Sequence, residues 1–116
     1  FIYDFPVEQA ALARLGNSQG QVVAHRFELV INGVELANGF WELTDADEQQ
    51  RRFEADNQQR AHSGQQHVLP DERLLQALRH GLPDCAGVAL GFDRLVALSS
   101  GYQQVSAVLA VPWDQA

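Results

Sequence analysis

A single cysteine, Cys85, stands in a chain of 116 residues, which excludes an internal disulfide and suits a reducing, cytoplasmic setting. No apolar run approaches the roughly 20 residues needed to cross a bilayer, although 46% of the chain is hydrophobic. The apolar residues are therefore expected in a core, not in a membrane. Basic residues are scarce, 8 against 15 acidic ones, for a formal charge of -7. Without clustered Lys and Arg there is no broad phosphate-backbone footprint, so stable nucleic-acid binding is not expected. Methionine is missing even at the first position, and FIYDFPVEQ has neither the basic start nor the long apolar stretch of a signal peptide. The expectation is one domain or a piece of one, with something missing upstream.

What is present reads as helices and strands in alternation, with no repeat or linker. Residues 7–15, VEQAALARL, have helical apolar spacing and stop at Gly16, which predicts a short opening helix followed by a loop. Residues 25–31 alternate Phe27, Leu29 and Ile31 against Arg26, Glu28 and Val30 before Asn32-Gly33 and a second extended run. Apolar alternation around Asn-Gly predicts a hairpin. Thr44 or Asp45 is placed to cap a helix running to about His62, whose many charges read as a solvated face. Pro70-Asp71 followed by Leu74, Leu75 and Leu78 predicts a second helix, closed by Gly81, with a narrow apolar stripe toward the sheet. LPDCAGVALG reads as a turn into a buried strand, Gly91 as its exit, FDRLVALSS as a packed helix and VSAVLAVPW as a last apolar stretch.

The second hairpin strand is unusually polar. With a two-residue loop, Ile31 faces Val34, Val30 faces Glu35 and Glu28 faces Ala37, which makes Glu28 and Glu35 diagonal neighbours on one face. Two close carboxylates repel unless a cation lies between them, and Mg²⁺ takes one or two protein carboxylates together with phosphates and water. By spacing alone, an exposed strand face with ordinary glutamates explains the pair better. Asn38 and Glu42 have the opposite parity to Glu35, so a regular strand sends them to the other side. A bulge around Ala37 to Gly39 would gather Glu28, Glu35, Asn38 and Glu42, with Phe40, on one face. In GVALGFDRL, Arg94 sits in the first turn of a helix, where the dipole favours anions. A polyphosphate would reconcile guanidinium and dipole, and a salt bridge to a nearby acid remains the plainer explanation.

Together, RFELVINGVELANGFWELTDADEQ and GVALGFDRL resemble the lysyl type of class II aminoacyl-tRNA synthetase core, over nearly all of the chain. INGVELANGF, ELTDADEQQRRFEADNQQR and LPDCAGVALGFDRL are similar, more closely, to a paralogous family, the elongation factor P (R)-β-lysine ligases. The resemblance implies an α+β fold, the C-terminal part of the class II catalytic core, an antiparallel sheet flanked by helices. It implies that residues 1–116 hold the third class II motif while the first two lie upstream. Arg26-Phe27-Glu28 has the Arg-x-Glu of the second motif, yet the Asn-Gly turn follows too soon for that motif's long loop.

The same resemblance implies the chemistry: ATP and Mg²⁺ are used to activate lysine or (R)-β-lysine as an adenylate, which passes to elongation factor P. Glu28 and Glu35 correspond to the Mg²⁺ ligands; Arg94, with Gly91, to ATP contacts and to the catalytic arginine; Asn38, Phe40, Glu42 and Ala89 to the amino-acid pocket. Lysyl-tRNA synthetases have glycine where this chain has Ala89. Trp41 and Phe92 depart from the ligase pattern without replacing a ligand. A homodimeric parent without membrane attachment is expected, and the segment alone is expected to be inactive. The alternatives are a lysyl-tRNA synthetase segment, which Ala89 and Asp84-Cys85 disfavour, and a non-catalytic binding module. His25, His62, His67 and His80 lack zinc-ligand spacing, and Cys85 reads as a packing thiol.

Overall fold

A computed structural model describes residues 1–112 of the chain. Its centre is the predicted hairpin, formed by two long strands, β3 (Gln21–Ile31) and β4 (Val34–Trp41). Asn32 and Gly33 between them take φ of 52° and 78°, the left-handed pair that a tight hairpin turn requires. Two shorter strands precede it, β1 (Ile2–Phe5) and β2 (Leu15–Ser18), and β5 (Ala86–Leu90) follows. The antiparallel sheet runs β1-β3-β4-β5, with β2 paired to the start of β3. With three helices attached, the architecture is α+β, as expected.

The opening helix does not form. Residues 7–9 make a single 3₁₀ turn after Pro6, Ala11 takes φ of 48°, and Leu15 enters β2. The helical spacing misled because its small residues serve another purpose. Ala10, Ala13 and Ala24 are 4%, 0% and 0% exposed and pack as a cluster against Phe5, Leu15 and Phe40. Alanines at these places let the segment press closely onto the sheet.

Helix α1 (Ala46–His62) begins where expected, with Asp45 accepting from the N–H groups of Asp47 and Glu48. Those bonds, chiefly the one from Glu48, hold the Asp45 carboxyl below its usual range. Most of α1 is polar, and Arg52 ties it to the opening segment by donating to the carbonyls of Ala11 and Ala13 at 3.0 and 2.8 Å. Helix α2 (Glu72–His80) is capped by Asp71 and ends at Gly81, φ 120°. Its apolar stripe buries Leu75 and Leu78, but its main neighbour is α1, not the sheet. Arg79 reaches back across that contact to Gln50 Oε1 at 2.8 Å.

Strand β5 is also not buried: four of its five positions are exposed, Val88 by 63% and Leu90 by 49%. It is the edge of the sheet, with only β4 beside it among the described residues. Helix α3 (Phe92–Ser99) buries only Ala97, and Phe92 is 69% exposed. VSAVLAVPW contributes one 3₁₀ turn, Val105–Ala107, and its final Trp113 lies outside the described residues. Among the described residues no helix is long and apolar enough to cross a membrane.

Candidate active site

The site is built by one irregularity. Arg26, Glu28 and Val30 alternate onto one face of β3, and their partners across the ladder are Phe40, Asn38 and Glu35. Residues directly opposite share a face. Glu35 and Asn38 are separated by an odd number of positions and yet meet the same face, because Leu36 has no partner on β3. The bulge anticipated near Ala37 to Gly39 is therefore present one residue earlier, and Glu28 pairs with Asn38 where Ala37 was expected. Gly39 continues the regular ladder. A side chain there would overlap the Phe27 ring and lie 2.9 Å from the Gly87 carbonyl, so its glycine serves close packing, not bulging.

The bulge also fastens the glycine turn that follows β5. Gly91 N–H donates to Leu36 O at 2.9 Å, and Arg94 Nη1 donates to Glu35 O at 2.7 Å. The turn from β5 into α3 is thereby hung on the two carbonyls of the distorted stretch. Arg94 forms no ion pair among the described residues, so the salt bridge entertained for it is replaced by a bond to backbone. Ala89 lies opposite Asn38 and Gly87 opposite Phe40, which puts both on the face of the acidic residues. Glu42 follows β4 with the same parity and lays its Oε1 against Gly87, where any side chain would overlap it. Its N–H is held by Cys85 O at 3.0 Å and its carbonyl by Arg14 Nε at 3.3 Å.

Glu28, Glu35, Asn38, Phe40, Glu42, Ala89, Gly91 and Arg94 thus share one region of the sheet. Glu28, Asn38, Phe40, Glu42 and Gly91 are half-buried; Glu35, Ala89 and Arg94 are exposed. Two carboxylates on that face are hard oxygen donors of the kind Mg²⁺ takes, with room for phosphate and water in the remaining shell. Among the described residues no group of three or more His, Cys, Asp or Glu gathers.

Two participants were missed from sequence. Gly87 carries no pattern that distinguishes it from a turn glycine, and its closeness to Glu42 exists only across strands. Arg26, set aside as a false second motif, donates to Glu28 Oε1 at 2.6 Å and to Asn38 Oδ1 at 3.1 Å. Asn38 consequently turns its amide NH₂ away from Arg26, because a guanidinium offers only donors. The departing residue Trp41 faces the other side, its Nε1 donating to Asp84 Oδ1 at 2.5 Å and its ring beside His25 and the Arg14 guanidinium. Cys85 is free and half-buried.

The candidate site is thus an antiparallel sheet presenting paired glutamates beside a glycine turn that leads to a helical arginine. The family of class II tRNA synthetases (D, K and N) matches residues 1–115, and the chain belongs to it. Among curated proteins it is 55% identical over its whole length to the elongation factor P--(R)-beta-lysine ligase of Hamiltonella defensa subsp. Acyrthosiphon pisum (strain 5AT). It is 53% identical, again over its whole length, to the ligase of that name from Pectobacterium carotovorum. With that from Proteus mirabilis it shares 55% over 97% of the chain. The chain spans 35%, 35% and 34% of these three relatives, about a third of their length.

Proposed function

We propose that the protein of which these 116 residues form the third-motif part is an ATP-dependent ligase that activates (R)-β-lysine and transfers it to a lysine of elongation factor P. The observation that carries this reading is the bulge at Leu36, which places Glu28, Glu35, Asn38 and Phe40 on one face opposite Ala89 and fastens Gly91 and Arg94 to the same stretch. Similarity to relatives named elongation factor P--(R)-beta-lysine ligase supports the substrate and the acceptor.

In the proposed reaction a carboxylate oxygen of the amino acid attacks the α-phosphorus of ATP. The bond to the β-phosphate oxygen breaks and pyrophosphate leaves. The ε-amine of the acceptor lysine then attacks the adenylate carbonyl, loses a proton, and expels AMP. Glu28 and Glu35 would hold Mg²⁺, which would neutralise polyphosphate charge. Arg94 binds the terminal phosphate near the start of α3, where its cation and the helix dipole act on the same anion. Glu42 takes the ammonium of the substrate, Phe40 lies along the aliphatic stem, and Asn38 offers N–H donors to an oxygen acceptor. No side chain acts as nucleophile; positioning accounts for the catalysis. The first two class II motifs, a homodimer interface and the rest of the core belong to the remainder of the protein, with this segment at its C-terminal side and in the cytosol.

ATP–pyrophosphate exchange by the full-length protein, with (R)-β-lysine and with α-lysine, tests the reading. Preference for (R)-β-lysine, lowered about 10- to 200-fold by Ala89→Gly as the loss of one pocket methyl allows, is the expected result. Preference for α-lysine would make it a tRNA synthetase, and no exchange with either would leave a binding module. Glu42→Ala is expected to abolish exchange while the fold persists.

A further inference from the structure

We infer that Arg26 is a positioning residue that locks the amino-acid side of the site to its metal-binding side; the inference rests on the function proposed above. The guanidinium divides its donors among three partners. Nη2 reaches Glu28 Oε1 at 2.6 Å, Nε reaches Asn38 Oδ1 at 3.1 Å, and Nη1 reaches Gln9 O at 3.0 Å. Its carbon lies 4.5 Å from the centre of the Phe5 ring and 5.8 Å from that of Phe40. The Arg26 and Glu28 side chains are only 18% and 17% exposed, so the pair is shielded from the screening that makes surface ion pairs weak.

Each contact removes a freedom the site cannot tolerate. A half-buried carboxylate at Glu28 without a partner would be costly, and Arg26 satisfies one oxygen in a fixed direction while leaving the other to a ligand. Asn38 by itself has two amide orientations of similar shape. An Nε donor beside it selects the one with oxygen inward and NH₂ outward, which decides what kind of atom Asn38 can recognise. The planar fork sets both bonds at once, a geometry that the ammonium of lysine cannot copy. Phe5 and Gln9, from the opening segment, hold the guanidinium from the far side. That gives a reason for the segment to form a tight turn against the sheet where a helix was expected.

The test is a double-substitution cycle of Arg26→Lys and Asn38→Ala in the full-length protein, read as KM for the amino acid, KM for MgATP and kcat in pyrophosphate exchange. Lysine keeps the charge beside Glu28 but gives up Asn38. Arg26→Lys is expected to raise the amino-acid KM roughly tenfold, as loss of a charge-assisted hydrogen bond allows, with KM for MgATP changed far less. Asn38→Ala added to it should add almost nothing, because contacting residues are coupled. Multiplying effects, or a uniform loss in all three parameters that follows the loss of thermal stability, would overturn the inference. If the unsubstituted full-length protein shows no exchange with either lysine, the proposed function fails instead. The same cycle is then read in thermal unfolding, where additive effects would still overturn the Arg26–Asn38 link and coupled ones would sustain it.

Discussion

Replacing Gly87 by alanine should damage recognition of the substrate while leaving the fold almost untouched. A Cβ at this position would overlap Glu42 Oε1, and the next nearest atoms, 3.4 and 3.9 Å away, belong to the same Glu42 side chain. Only the far end of a flexible side chain has to move, so the sheet itself is not strained. The backbone of Glu42 stays pinned by Cys85 O and Arg14 Nε, and the carboxylate must swing away from Gly87. If it binds the substrate ammonium, the loss is that of a hydrogen bond to a charged group, about 1.5–3 kcal/mol. That corresponds to roughly a 10- to 150-fold rise in the amino-acid KM. Pyrophosphate exchange in the full-length protein measures it, with KM for MgATP as internal control because Glu28, Glu35 and Arg94 are untouched. Thermal unfolding should change little, since alanine in place of glycine restricts the unfolded chain and offsets small losses. An unchanged amino-acid KM with wild-type stability would refute this placement of Glu42, as would an equal rise in both KM values.

Gly39→Ala should behave in the opposite way, because its Cβ would meet the Phe27 ring and, at 2.9 Å, a carbonyl of the neighbouring strand. Neither yields cheaply, and urea titration should show a loss of about 1–3 kcal/mol. Leu75, 1% exposed between α2 and α1, should cost about 2–5 kcal/mol when cut to alanine, while pyrophosphate exchange persists below the lowered melting point. Asp45 titrates below the usual aspartate range because backbone N–H groups, first that of Glu48, bind its ionised form. Its contribution to α1 is therefore complete above the unfolded-state value near pH 4 and fades as the pH falls through the lowered folded value. Circular dichroism followed through acid unfolding should show that dependence in the native protein and a shallower one in Asp45→Asn, which caps without titrating.

The parts legible in the sequence were those governed by neighbours along the chain. Asn32-Gly33 specified its turn, Asp45 and Asp71 their helix starts, and Gly81 a helix end. The parity conflict between Glu35 and Asn38 announced a bulge, because a pocket assembled from both requires one. Its place was misjudged since Gly39 is small for a cross-strand reason that no local pattern carries. The opening segment failed similarly: alanine is the best helix former, but Ala10 and Ala13 are fully enclosed against Ala24, and this packing outweighs propensity. Apolar stripes on α2 and β5 reported that something apolar was needed nearby without naming it. Leu75 and Leu78 found α1, and Val88 and Leu90 lie on the edge strand. Arg26 was invisible as a hub because its partners, Gln9 and Asn38, lie 17 and 12 positions away.

The unpaired residue Leu36 makes β4 a strand with two phases. On its hairpin side, the residue on the face of the candidate site, Glu35, has an odd number; beyond it, Asn38, Phe40 and Glu42 are even. Saturation mutagenesis along residues 34–42 should therefore record a rhythm of sensitive and tolerant positions that skips a beat at Leu36, where Leu36 and Ala37 are buried in succession. Gaining one codon there would throw one half of the constellation to the reverse of the sheet without changing a single functional residue, whereas losing Leu36 would leave Glu35 and Asn38 as alternate residues of a regular strand, still on one face. Which side chains meet on this face depends on spacing as much as on identity.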